Sequence, residues 1–266
     1  MAITQPSPIR PSVERTTASP VWLGLAVVAG LSWLYLIYMA WGMVNMDQPA
    51  AQFLMPAMMH WGAVDLGLVF VMWAVMMAAM MLPSAVPMVR MFVRSTEAQS
   101  DLTTGRLTSA FVGGYLAVWT AFSAIMTLAQ WGLLELRLVT PMMESASGWL
   151  SGGLLLTAGV FQFTALKNSC LKKCRTPLGF LMAEWRAGVR GAFVMGLRHG
   201  AYCTGCCAML MLLLFVLGVM NLAWILILTL IVLGEKLLPA ESVWLSRALG
   251  AGLIAWGGYV LLNARA

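Results

Sequence analysis

Four side chains with metal-binding atoms lie within nine residues of one apolar segment: His199, Cys203, Cys206 and Cys207. In a helix, residues three and four apart share a face, so this spacing places one imidazole and three thiols together. Soft and borderline metals such as Cu(I), Zn(II) and iron bind these groups. The cluster predicts a metal or redox site. The alternative is that small cysteines pack at a helix interface while His199 bonds a loop carbonyl.

A second pair of cysteines precedes this segment. Cys170 and Cys174 are four residues apart, so both can bind one ion if the segment is helical. Basic residues surround the pair, and the alternative is a membrane-anchoring loop with incidental cysteines. We predict both as further metal ligands, because the topology derived below places them on the same membrane face as Cys203.

Methionine is the third source of sulfur, with 22 residues in a chain of 266. Its thioether is a soft ligand for Cu(I), but methionine also fills irregular apolar space. In the second apolar segment Met72, Met76, Met77, Met80 and Met81 form a stripe. For this stripe packing is the favoured interpretation, with Met76 and Met80 as accessory ligands.

A predicted external loop holds a second group of methionines beside a histidine. Its members are Met55, Met58, Met59 and His60. Packing explains these side chains less well in a loop than in a span, so we weigh a site of metal uptake equally with an ordinary loop.

One carboxylate lies at the end of a predicted span. Glu235 is close in depth to His199 and Cys203, and an ionisable residue at such a place is a functional candidate. Three roles are open for Glu235: metal ligand, partner that orients His199, or proton carrier. The alternative is that Glu235 and Lys236 reach the membrane surface as a pair.

The composition requires a membrane protein. The chain is 61% hydrophobic and 10% charged, whereas soluble domains carry about 25% charged residues. We predict an all-α bundle of about seven spans, because the apolar runs lack the alternation of barrel strands. The predicted spans cover residues 21–43, 64–88, 109–132, 148–167, 200–219, 221–236 and 245–263. Residues 1–20 are predicted to be a disordered cytoplasmic tail and residues 21–266 a single transmembrane domain.

The basic residues orient this bundle. With the N-terminus in the cytoplasm, every lysine and arginine except Arg137 and Arg265 falls on the cytoplasmic side. The net charge of +6 then reflects topology and anionic lipid, and no nucleic-acid partner is predicted. All five cysteines lie near the cytoplasmic face, where thiols stay reduced. From Thr176 and Pro177 we predict an amphipathic helix on the inner leaflet, extending to Val189.

These motifs together resemble a known family. Met80-Met81-Leu82-Pro83-Ser84 precedes Cys-x-x-x-Cys-Arg-x-Pro at 170–177, His-Gly-x-x-Cys-x-Gly-Cys-Cys at 199–207, and Glu235-Lys236. The chain is similar to the bacterial family of predicted metal-binding integral membrane proteins. That resemblance implies a bacterial inner-membrane location and a bound metal, and it implies no reaction. Ala208 stands where the family has a tryptophan, which affects packing beside the site.

Our leading hypothesis is a protein that handles Cu(I), in transport, delivery or homeostasis. Cys203, Cys206, Cys207 and His199 would bind the ion, with Cys170 and Cys174 as the second pair; zinc and iron stay open. The expected partners are the lipid bilayer, the metal ion, and other membrane subunits or a metallochaperone.

Two further hypotheses compete with copper handling. Cys203-Thr204-Gly205-Cys206 is a Cys-x-x-Cys sequence, so a membrane thiol–disulfide oxidoreductase is one of them. The other is an accessory subunit of a larger membrane complex. The sequence lacks a phosphate-binding loop, a zinc-protease motif, a nucleophile elbow and a haem-attachment motif, so an enzyme is the less favoured class.

Overall fold

The apolar segments fold into helices in the computed structural model of the protein, which describes residues 19–45, 47–48, 61–96, 101–139, 147–239 and 242–264. The helices are α1 (Ser19–Val44), α2 (Ala63–Thr96), α3 (Asp101–Glu135), α4 (Gly148–Phe161), α5 (Ala165–Arg175), α6 (Pro177–Glu184), α7 (Gly188–Leu212), α8 (Leu214–Leu217), α9 (Leu222–Leu237) and α10 (Trp244–Asn263). The predicted all-α fold is confirmed. The predicted tail lies outside the described residues up to residue 18, and its last two residues begin α1.

Five stretches are long and apolar enough to cross a membrane. They are Val21–Val44, Ala63–Thr96, Thr103–Glu135, Gly188–Leu217 and Trp244–Asn263. Helices α4 and α5 add a sixth if the pair counts as one span, and they meet at a bend of 64°. The predicted span 221–236 forms α9, whose 16 residues fall short of the roughly 20 that a bilayer requires. The count of seven spans and the orientation therefore stay predictions.

Helix α6 has the start predicted for the amphipathic helix but ends earlier. Thr176 occupies the N-cap position and Pro177 the first turn. The helix ends at Glu184, and Val189 belongs to α7, which begins at Gly188 in a left-handed backbone conformation with φ of 78°. The apolar side chains at helical spacing divide between two environments. Leu178, Met182 and Trp185 are exposed, whereas Leu181 is buried in the core. Their exposure suits a helix that lies against lipid.

Close backbone contact joins α3 to α7, the most extensive helix pair in the described part of the chain. Gly114 of α3 lies against the carbonyl oxygen of Phe193, and Gly196 of α7 lies against that of Phe111. A side chain at either glycine would overlap these carbonyls. Small residues let membrane helices approach in this way. The seam fixes the position of α7, which carries most of the predicted site.

Candidate functional site: a buried sulfur cluster

The predicted residues of α7 share one buried face. His199, Cys203, Cys206 and Cys207 each expose no more than 3% of their surface. The spacing of three and four residues produces this common face, as the sequence predicted. The face is turned toward α2, α3 and α5, so other helices supply its neighbours.

Helix α5 brings a fourth cysteine to this face. Cys174 is buried in the same core as Cys203 and Cys206, and its thiol interacts electrostatically with both. Cys170, one turn earlier and half-buried, rests against α7, where its Sγ lies 2.8 Å from the point that a Cβ on Gly205 would occupy. The structure therefore places Cys174 in the buried core with the cysteines of α7 and Cys170 at the edge of that group.

Helix α2 contributes a thioether. The sulfur atoms of Cys207 and Met81 are 3.9 Å apart. Met76 and Met80 are buried in the same helix, within the apolar core that also contains the cysteines. Hereafter the sulfur cluster means Met81, Cys174, Cys203, Cys206 and Cys207.

Two polar side chains that the sequence analysis did not assign to the site contact Cys203, and a third, Ser84, is linked to it through Lys236. Lys236 of α9 donates hydrogen bonds of 2.8 Å to Cys203 Sγ and to Ser84 Oγ. The hydroxyl of Tyr115 lies 3.1 Å from Cys203 Sγ and donates to the carbonyl oxygen of Met81, also at 3.1 Å. All these side chains are buried. Cys203 is thus the member of the sulfur cluster with the most polar contacts.

The other two thiols of α7 bond their own helix. Cys206 Sγ and Cys207 Sγ each donate to the carbonyl oxygen of Cys203 at 3.0 Å. Across the described ranges, no three cysteine, histidine or acidic side chains stand together as a group that could hold a metal ion. For the cluster to bind one ion, these thiols must lose their protons and turn away from the carbonyl. Both changes are local, since thiols bind metals as thiolates and χ1 rotates between staggered positions.

His199 lies among aromatic rings one turn before Cys203. Its ring centroid is 5.5 Å from those of Tyr115 and Phe180 and 6.0 Å from that of Phe111. Its Nδ1 atom is buried and has no hydrogen-bond partner in the part of the chain that is described. A buried nitrogen without a hydrogen-bond partner lowers the stability of the fold, so Nδ1 of His199 is free to bind a metal ion or to form a hydrogen bond.

Glu235 faces away from the sulfur cluster. Its carboxylate accepts hydrogen bonds of 2.7 and 2.8 Å from Lys167 Nζ and one of 2.6 Å from Ser246 Oγ. Lys167 also donates to the side chain of Gln162 and is fully buried. The structure thus gives Glu235 a lysine partner from α5, while the next residue, Lys236, reaches Cys203. The other predicted accessory residues, Met55, Met58, Met59 and His60, lie outside the described residues.

Comparison with known proteins bears on the metal. A family model described as PpoB2, copper chaperone, matches residues 70–260, from within α2 to within α10. The chain belongs to this copper-chaperone family. The match includes every described residue of the sulfur cluster and its polar neighbours. No curated protein and no solved structure matches the chain.

The residues present fit the cargo of a copper chaperone. The sulfur cluster offers four thiols and a thioether, and soft sulfur ligands select Cu(I). The family membership supports a copper-related function, which the sequence analysis had favoured over zinc and iron.

Proposed function

We propose that this copper-chaperone family member is a membrane-embedded carrier of Cu(I) that holds the ion between α5 and α7. Cys174, Cys203 and Cys206 are its first ligands, and Cys207 joins them after turning from its carbonyl. The observation that carries this proposal is the burial of Cys174 of α5 beside Cys203 and Cys206 of α7, because it brings thiols of two separate helices into one buried region.

The number of sulfur atoms suits passing the ion on rather than locking it in place. Cu(I) needs only two or three sulfur ligands, and the sulfur cluster offers more. A surplus of ligands lets one sulfur attach before another leaves, so the ion can move without becoming free. Cys170 at the edge of the cluster and the unpaired Nδ1 of His199 extend this set.

The buried methionines of α2 support a path for the copper ion through the bundle. Met72, Met76, Met77 and Met80 continue the sulfur of Met81 along α2, all of them buried. Weak, repeated sites favour movement over storage. We therefore place the route along α2, between the predicted external loop and a cytoplasmic sulfur cluster, in a bacterial inner membrane. A metallochaperone or another membrane subunit would exchange copper at the cluster.

Copper content tests this function directly. The chain is purified without chelators under reducing conditions and its copper is measured per protein, alongside the Cys203→Ala/Cys206→Ala double variant. We expect bound Cu(I) in the unchanged chain and little in the double variant. Thr204→Ala is the matched control, because it shortens a side chain in the same turn of α7 without removing sulfur. If the double variant and the control bind the same amount of copper per protein, the proposal is wrong.

One observation also favours thiol–disulfide exchange. Cys174 is buried beside Cys203 and Cys206, so a disulfide needs only the loss of two protons and two electrons to an oxidant. Acid quenching of copper-free cells, alkylation of free thiols in the denatured protein and mass spectrometry test this second function. A Cys174 disulfide supports exchange, and five alkylated cysteines contradict it.

A further inference from the structure

Lys236 is a buried positive charge in direct contact with the sulfur cluster. Two of its three ammonium donors bond Cys203 Sγ and Ser84 Oγ. The side chain exposes 9% of its surface, although α9 ends one residue later. Charged groups are rarely buried unless an opposite charge lies close by.

The neighbouring carboxylate does not fill that role. Both oxygens of Glu235 bond Lys167, and Ser246 donates to one of them. Lys167 and Glu235 therefore balance each other on one side of α9. On the other side, Lys236 contacts the hydroxyl of Ser84 and Sγ of Cys203, so a thiolate of the sulfur cluster is the group that can supply the compensating negative charge.

We infer that Lys236 makes the sulfur cluster prefer a monovalent soft cation to a divalent one, an inference that rests on the function proposed above. For any fixed number of thiolates, the complex with a divalent ion is one charge unit more positive than the complex with Cu(I). Lys236 repels a divalent ion more strongly than a monovalent one, so its charge raises the relative affinity for Cu(I). Lys236 acts through charge and need not touch the ion.

The distance makes the effect large enough to measure. Lys236 Nζ is 2.8 Å from Cys203 Sγ, so an ion on that sulfur lies within several ångströms of the ammonium. Charges this close repel each other appreciably even at an effective dielectric constant of about 20. A unit difference in cation charge should therefore change relative affinity by at least about tenfold.

The test compares pairs of cations that differ in charge. Affinities for Cu(I) and Zn(II), and for the soft pair Ag(I) and Cd(II), are measured by chelator competition on the purified full chain. Lys236→Met removes the charge and Lys236→Arg keeps it. We expect Lys236→Met to lower the ratio of monovalent to divalent affinity at least about tenfold in both pairs, with Lys236→Arg near the unchanged chain. Lys172→Met, at an exposed lysine of α5, is the control.

Each result has a defined meaning. Unchanged ratios in Lys236→Met overturn the inference, while copper binding by the unchanged chain leaves the proposed function standing. A chain that binds no Cu(I) overturns both. If Lys236→Met does not fold, Lys236→Gln carries the same comparison, because its amide can still donate to Ser84.

Discussion

Glu235 and Lys236 are adjacent in α9, yet their side chains enter two different buried sites. The carboxylate of Glu235 pairs with Lys167 of α5, and the ammonium of Lys236 contacts Cys203 of α7. Adjacent helical residues are about 100° apart, so one helix end can serve both. Arg175 reinforces this arrangement by donating to the carbonyl oxygen of Glu235 at 2.6 Å. Helix α9 thereby fixes α5, with Cys174, relative to α7.

Removing the positive partner of Glu235 should destabilise the bundle strongly. Lys167→Met leaves a buried carboxylate without its cation, which costs about 3–5 kcal/mol. The double variant Lys167→Met/Glu235→Leu should recover much of that loss, because neither charge remains. Thermal unfolding in detergent, followed by tryptophan fluorescence, measures both. Lys172→Met serves as the exposed control, and equal midpoints for Lys167→Met and this control would falsify the importance of the pair.

The sequence predicted the face of α7 correctly because helical spacing alone decides it. The same spacing could not assign Glu235, since two adjacent ionisable residues cannot both face the cysteines. Lys167 was counted among the cations at the membrane surface, but it is fully buried against Glu235. Its partner is 68 residues away in the chain, so local spacing could not pair the two residues.

Tyr115 shows a second limit of sequence reasoning. Nothing near Tyr115 in the chain marks it, because its contacts with Cys203 and Met81 depend on the α3–α7 seam. The sequence contains the glycines of this seam, but it does not show that Gly114 and Gly196 pack against the facing helix. Hydrophobicity predicted which segments form apolar helices. The burial of individual side chains and the pairing of helices depend on contacts between residues distant in the chain. A metal-related family and the common face of the α7 cysteines were the parts that local motifs could indicate.

The α3–α7 seam predicts opposite results for two neighbouring glycines. A Cβ at position 114 overlaps the carbonyl oxygen of Phe193, whereas a Cβ at position 113 meets nothing within 4 Å. Gly114→Ala should cost about 1–3 kcal/mol and weaken copper binding, because it pushes α7 away. Gly113→Ala should change neither. Unfolding midpoints and copper affinity of the two variants check this, and similar results for both would contradict the backbone contact.

Met81 should contribute to copper affinity where another buried methionine of α2 does not. Its sulfur is 3.9 Å from Cys207 Sγ, while Met88 lies in the separate cluster around Phe92 and Phe180. Met81→Leu keeps a similar volume but loses the thioether, so we expect about a tenfold weaker affinity for Cu(I), or about 1.4 kcal/mol. Met88→Leu is the matched control. Equal affinities in the two variants would show that Met81 only fills space.

The two cysteines of α5 should behave differently, although the sequence treated them as one pair. Cys174 is buried beside Cys203 and Cys206, whereas Cys170 is half-buried beside Gly205. Cys174→Ser should therefore lower Cu(I) affinity about tenfold or more, and Cys170→Ser should lower it less, because of the two only Cys174 is a proposed first ligand. In the metal-free chain a maleimide should label Cys170 first, since the other four thiols are buried. Chelator competition and peptide mass spectrometry measure these effects. If Cys170→Ser is the more damaging change, the ion is held at the edge of the cluster rather than between α5 and α7.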